Sequence, residues 1–469
     1  MKTFLALLAS LLVIPHSSFV IAQGPLTPPP GAPVPTMKTL QQIEPRTDVA
    51  SVAGDASYHH IITAAGSYYL TGNLGVTRPN GIVVRAEGVT IDLNGFEIRR
   101  ISGTGGFGIE VDGTAGRCTV KNGSLKGFTY GLLCSAVGTP PTLPRGGRCL
   151  SVSVSGCSTS GIRAGEGWQL EGCTAHDNPG TGIYANTGST LSHCTATANG
   201  TGIFVVANCT LSNCTSASNT GAGISIGNGS TVTNCSAMGN TGSSGISAGD
   251  GSSLTNCSAM DNTGTAGIAA GKGSTLMNCS AYSNNVNFGI DAGSACTLKN
   301  CTARYNTASV TASGGIDAGL GSTLIGCVAD TNLNTNATAS TSAGFGIRVS
   351  GGSTVRDCTV EGNKGSGIQV IGDWSQIIGN TCTRNTTGGQ GAGIHIPAAA
   401  NGCRIDSNHC GAGTRGIWVE GIDNLIIRNS TQGTSVLSYD IAAGNHSAAI
   451  INGPGLSFAS TSPWANFRL

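Results

Sequence analysis

Residues 251–285, GSSLTNCSAMDNTGTAGIAAGKGSTLMNCSAYSNN, say nearly the same phrase twice, placing Cys257 and Cys279 at the same beat 22 residues apart. Outward from this stretch, a glycine followed by isoleucine, once by leucine, recurs from Ile82 to Ile417. The 15 periodic occurrences have central spacings, from Ile162 to Ile290, of 21, 20, 21, 22, 22 and 22. A fixed period in this range marks a solenoid, and the content of one period says which kind. Each period holds short alternating pieces such as Ile268-Ala269-Ala270 and Leu276-Met277-Asn278 between Gly, Asn and Ser, with too few consecutive helix formers for a helix. The expected fold is all-β: a right-handed, single-stranded parallel β-helix of about 15 coils, one per Gly-Ile, with three short strands each. At roughly 4.8 Å per coil it would extend roughly 70 Å.

The flanks read differently. Lys2, the apolar run Phe4 to Ile14 and Val20-Ile21-Ala22 have the layout of a signal peptide, residues 1–22, so the product is expected outside the cell or in the cell envelope. Residues 23–49 include GPLTPPPGAPVPT, an extended lead-in that cannot hold a ladder; the β-helix is expected over 50–456 and a capping tail over 457–469. No other run approaches a membrane span. The 24 Lys+Arg against 23 Asp+Glu fall to 23 against 23 once Lys2 is removed, a neutrality that speaks against a nucleic-acid partner. The protein is read as a monomer.

In a β-helix, equivalent residues of successive coils stack, so a residue that suits a corner once suits it in every coil. The cysteine beat runs Cys157, Cys173, Cys194, Cys214 and onward to Cys358, with Asn380, Asn408 and Asn429 at the same offset later and Asn94 earlier. An asparagine ladder with cysteine substituted through its middle describes this, since asparagine tolerates left-handed backbone and its amide can bond the next coil. A reduced thiol stack acting as small apolar filler is the expected state, with neighbouring disulfides the alternative, because parallel Cβ atoms at roughly 4.8 Å lie beyond the usual disulfide range. A metal array has poor support without a C-x-x-C pair.

With the repeated Gly-Ile, the Asn-Cys corner and the ladder asparagines, residues 58–469 resemble the secreted right-handed parallel β-helix repeat proteins of the pectate lyase-like fold. That resemblance implies architecture; the fold hosts lyases, hydrolases, epimerases and adhesins. The neighbouring Asp-Asp and Arg-Ile-Lys of polygalacturonases have no counterpart, since no Asp-Asp occurs and Arg404-Ile405-Asp406 ends on aspartate.

The residue after each Gly-Ile is expected to point outward, forming an exposed column along the first sheet. In its last third lie Asp291, Asp317, Arg348, Gln369, His395 and Trp418, a polar strip of roughly 25 Å. Paired carboxylates can hold Ca²⁺ or divide acid and base roles, Arg and His can neutralise a uronate or move a proton, and Trp can stack on a sugar ring. Asp291, Asp317, Arg348 and His395 are the candidate catalytic residues; Gln369 and Trp418, with Tyr184 and Phe204 further up the column, are candidate substrate contacts. Insertions at Ala308 to Ser313, Leu333 to Ala343 and Thr386 to Gly391 precede this sheet and are expected to wall a groove. The expected function is binding of a polysaccharide, such as a cell-surface glycan, or of another extended polymer along the first sheet, with catalysis left open. The alternatives are a polysaccharide lyase or glycoside hydrolase acting on an acidic glycan, and a structural or adhesive surface protein.

Overall fold

The computed structural model describes residues 46–136, 143–309, 313–335, 343–386, 391–453 and 460–469. The expected leader and most of the lead-in lie outside them, and Arg46–Leu469 forms one compact unit. No helix among the described residues is long and apolar enough to cross a membrane.

The quoted stretch shows why the chain coils. Thr263–Ala270, Thr275–Met277 and Ser280–Tyr282 form the three strands of one coil, here called faces one, two and three. Each pairs in parallel with its counterpart in the next coil: Ile268 with Ile290, Leu276 with Leu298, Ala281 with Ala303. The pleat turns these six inward, all fully buried. One aliphatic or alanine per strand on faces two and three, and two on face one, where Ala270 joins Ile268, are thus enough to fill a narrow core, so the chain needs few large apolar residues.

On face one the register is continuous from Ile61 to Asp440, sixteen successive pairings that make 17 rungs of a right-handed parallel β-helix. The two rungs beyond the expected 15 carry His60 and Tyr439 at the isoleucine position, so a search for Gly-Ile misses them. The first described strand, Thr47–Asp48, pairs with Gly66–Tyr69, and near the far end Asn466–Arg468 pairs with Ile450–Asn452.

Each corner is held by its own column. Between faces three and one, ten asparagines from Asn178 to Asn385 form a ladder of nine bonds, each Nδ2 donating to the Oδ1 of the next at 2.8–3.1 Å. That ladder is not the one read from the cysteine beat. Between faces two and three, the buried column from Cys173 to Cys358 does pass into Asn380, Asn408 and Asn429, with Cys358 N–H donating to Asn380 Oδ1 at 3.0 Å, and ends on Asn466 from the tail. Ahead of each middle cysteine, Asn213, Asn234, Asn256, Asn278 and Asn300 take the left-handed turn at φ 53°. Two placements are corrected. Cys157 sits at the corner between faces three and one, its N–H on Asn178 Oδ1 at 2.8 Å, and Asn94 is exposed at φ 54°, outside the buried column. The offset misleads at Cys157 because the aliphatic residue three before it, Val154, is on face three, Arg148–Ser155 spanning faces two and three as one strand; Asn94 instead takes the left-handed turn, as Asn122 does at φ 60° on the next rung. All 18 cysteines are free and buried; Cys257 Sγ donates to the carbonyls of Val232 at 3.6 Å and Thr255 at 3.4 Å.

Candidate functional site on the first face

The outward column is in register as expected, but it is not uniformly open. Val83 and Gln369 are 1% exposed and His395 2%, and Glu110 and Leu133 are also buried. Accessible side chains remain at Arg163 to Phe204 and at Asp291 to Arg348, separated by Ser225, Ser247 and Ala269, and further along at Trp418, which is half-buried.

The second group is built from two adjacent columns. Asp291, Asp317 and Arg348 follow one another on successive rungs, and Arg348 grips Asp317 with two hydrogen bonds, Nε to Oδ1 at 2.9 Å and Nη2 to Oδ2 at 2.6 Å. Three residues earlier on each strand stand Phe288, Gly314 and Phe345. Gly314 has no side chain, and a Cβ there would sit 2.3 Å from the Phe345 ring. Phe345 therefore reaches back over that rung to stack on Phe288 at 6.2 Å, and Arg348 lies 4.6 Å from the Phe345 ring and 5.5 Å from that of Phe288. Asp291 has no hydrogen bond or ion pair among the described residues. Burial, and then the charge of Asp317, push its carboxyl up to about 6, with Arg348 only partly opposing. Calcium does not fit this pair: Arg348 occupies both oxygens of Asp317, and no group of three potential ligands gathers anywhere among the described residues.

His395 and Trp418 form a separate cluster. Gln369 lies between Arg348 and His395, so those two are two rungs, roughly 10 Å, apart. His395 stacks on Trp418 at 4.1 Å and 10°, its Nε2 is 3.3 Å from Glu420 Oε2, and its buried Nδ1 has no partner. Burial holds its pKa down, Glu420 opposing. Arg415, bonded to Asp440 in the following coil at 2.9 Å, covers the other side of Trp418 at 4.4 Å. Both faces of this indole are taken, which removes the stacking surface expected of it.

Tyr184 is enclosed the same way, with Arg163 4.9 Å from its ring and Phe204 stacked at 5.3 Å and 12°. Phe204 differs: the next rung is Ser225, so its far face looks onto small side chains and it stays 36% exposed. From Phe204 to Asp291 is four rungs, roughly 19 Å, floored by Ser225, Ser247 and Ala269. The parts of the expected insertions that fall at 310–312, 336–342 and 387–390 lie outside the described residues. Sequence reading missed Phe288, Phe345 and Arg415. The available signal was the position three before each column residue, where an aromatic or cation precedes Asp291, Arg348 and Trp418.

The family description "right handed beta helix region" matches residues 80–254 and 207–373, more than half of the chain. The protein belongs to that family, whose fold is the right-handed parallel β-helix described above. Among curated proteins no sequence matches. Among solved structures the chain is similar to the mannuronan C-5 epimerase AlgE4 A-module of Azotobacter vinelandii, with 14% identity, 86% of this chain and 99% of that one covered, and a TM-score of 0.30. It is also similar to the catalytic unit of a GH87 alpha-1,3-glucanase from Streptomyces thermodiastaticus, with 11% identity, 84% and 69% covered, and a TM-score of 0.31. A third is tailspike protein 3 of bacteriophage CBA120, with 10% identity, 90% and 65% covered, and a TM-score of 0.33.

Proposed function

We propose that this protein is exported and, as a monomer, binds a polysaccharide of the extracellular space or cell envelope, laid along face one parallel to the helix axis. One observation carries the reading. A single continuous ladder places a ring with one open face, three small residues and a carboxylate–guanidinium cluster in line over roughly 29 Å, from Phe204 at one end to Arg348 at the other. A rigid parallel sheet holds such groups at fixed intervals, so a linear polymer meets them without ordering a loop first.

A second reading, a polysaccharide lyase or glycoside hydrolase, is supported by Asp291, a carboxyl that exchanges its proton near pH 6 beside an arginine-clamped partner. In it Asp291 moves the proton while Asp317 and Arg348 position the substrate; His395 lies too far along the column to share that step.

Alanine at Asp317 and at Arg348, combined with a glycan retention assay and an assay for new reducing ends and unsaturated products, separates the readings. Binding predicts loss of retention, at least about tenfold, with folding intact and no turnover in the wild type. Turnover that vanishes with either variant supports the enzyme. Unchanged retention and no turnover would leave a structural or adhesive protein.

A further inference from the structure

The charge on face one argues for a particular class of glycan. Glu110 accepts the Tyr58 hydroxyl at 2.6 Å, Arg163 lies against Tyr184, and Asp440 holds Arg415. Asp317 and Arg348 neutralise each other, and that guanidinium also lies 4.6 Å from the Phe345 ring and 5.5 Å from the Phe288 ring. Asp291 alone remains without a partner among the described residues. Lys272, at the corner beyond Ala269, gives Asp250 only its backbone N–H, at 2.7 Å, and its ammonium is not among the charges that act on Asp291, which are those of Asp317 and Arg348. Two aspartates and one arginine give this end of the strip one net negative charge, at the end of the small-residue floor and partly withdrawn from water, while Arg163 lies six rungs, roughly 29 Å, away.

A uronate placed there would face Asp291 with no unclaimed cation to meet it. An ammonium would relieve the one carboxylate the fold leaves unsatisfied, and a charge-assisted hydrogen bond in such a half-buried place is worth more than one in water. We infer that the glycan of face one is amine-bearing, with an ammonium on Asp291 and a sugar ring against the open face of Phe204, and that polyuronates are excluded. This rests on the glycan-binding reading above and deepens it. The carboxyl exchanges its proton near pH 6, so it is mostly ionised at neutral pH, and a neighbouring cation would favour that form further.

The test compares retention, near neutral pH, of glucosamine oligomers, the same oligomers N-acetylated, and polyuronate oligomers. The full chain is run as wild type, Asp291→Asn, Phe204→Ala, and Asp177→Asn as a control for charge lost elsewhere. The expected result is about tenfold preference for the free amine over its acetylated twin. Asp291→Asn should abolish that preference, Asp177→Asn should leave it unchanged, and Phe204→Ala should weaken both oligomers alike. Stronger retention of polyuronate than of glucosamine oligomers, or a preference that survives Asp291→Asn, overturns the inference while leaving glycan binding standing. Retention of no oligomer of any class overturns the function proposed above and this inference with it.

Discussion

Two carboxyls show how neighbours decide the behaviour of a side chain. Asp406 is buried, which works against its charge, yet hydrogen bonds from Arg428, Arg404 and Ser407 outweigh burial and bring its pKa down to about 2. Asp291 has burial and Asp317 both acting the other way, up to about 6. The consequences for stability have opposite sign. Asp406 contributes stability that is present above the ordinary value of 3.8 and lost as pH falls toward 2. Asp291 binds its proton more tightly in the folded protein, so its ionisation takes stability away as pH rises from about 4 to about 6. Asp291→Asn should therefore raise stability near pH 7 by about 1–2 kcal/mol, a figure reduced from the full shift because the group is partly solvated. The gain should disappear below about pH 4, which urea midpoints measured across pH will show. Asp406→Asn should lose stability near neutral pH, and its deficit relative to the wild type should shrink as pH falls toward 2.

Among the elements, the strands are short and interchangeable, and the corners carry the individuality. On faces two and three, three residues per strand bury one side chain, whereas each corner must place a left-handed residue outside and satisfy a backbone N–H inside. Asparagine does both jobs, at φ 53° before the cysteines and as a buried amide ladder between faces three and one. A thiol fits the second corner because it is small, apolar enough for a narrow core and able to donate weakly to the carbonyls it touches. Titration of the denatured protein without reductant should find all 18 thiols reactive. A shortfall of more than about four would show neighbouring cysteines bonded in pairs, against the geometry of a parallel stack. Cys257→Ser should cost less than about 1.5 kcal/mol, since a hydroxyl can donate to the same two carbonyls of Val232 and Thr255.

For the β-helix as a whole, each coil touches only the coils before and after it, so stability is a sum over neighbours rather than a property of one central core. Position along the axis then matters as much as chemistry. Asn284→Ala, in mid-ladder, removes an amide that donates to Asn306 Oδ1 and to the Ala259 carbonyl and accepts from Asn262. It should cost about 2–4 kcal/mol and lower the melting temperature. Asn466→Ala, at the last rung of the other ladder, removes comparable bonds to Asn429 and Ile426. Its effect should be confined to faster amide exchange in the final coils, with the main transition little moved.

The period of Gly-Ile and the Asn-Cys beat determined the coil, its parallel register and the membership of the outward column, because a solenoid converts sequence spacing directly into neighbours. His60 and Tyr439 escaped, since the end rungs are free of the pattern that stacking imposes on both sides. Which column members are open, which are spent on each other and which corner holds the long ladder came only from the tertiary structure. Spacing says that Asp317 and Arg348 are adjacent; it does not say that they grip each other, that Gly314 lets Phe345 reach Phe288, or that Arg415 covers Trp418. Those outcomes depend on side-chain direction and on competition among neighbours for the same hydrogen bonds and ring faces, and neither is written in a one-dimensional repeat.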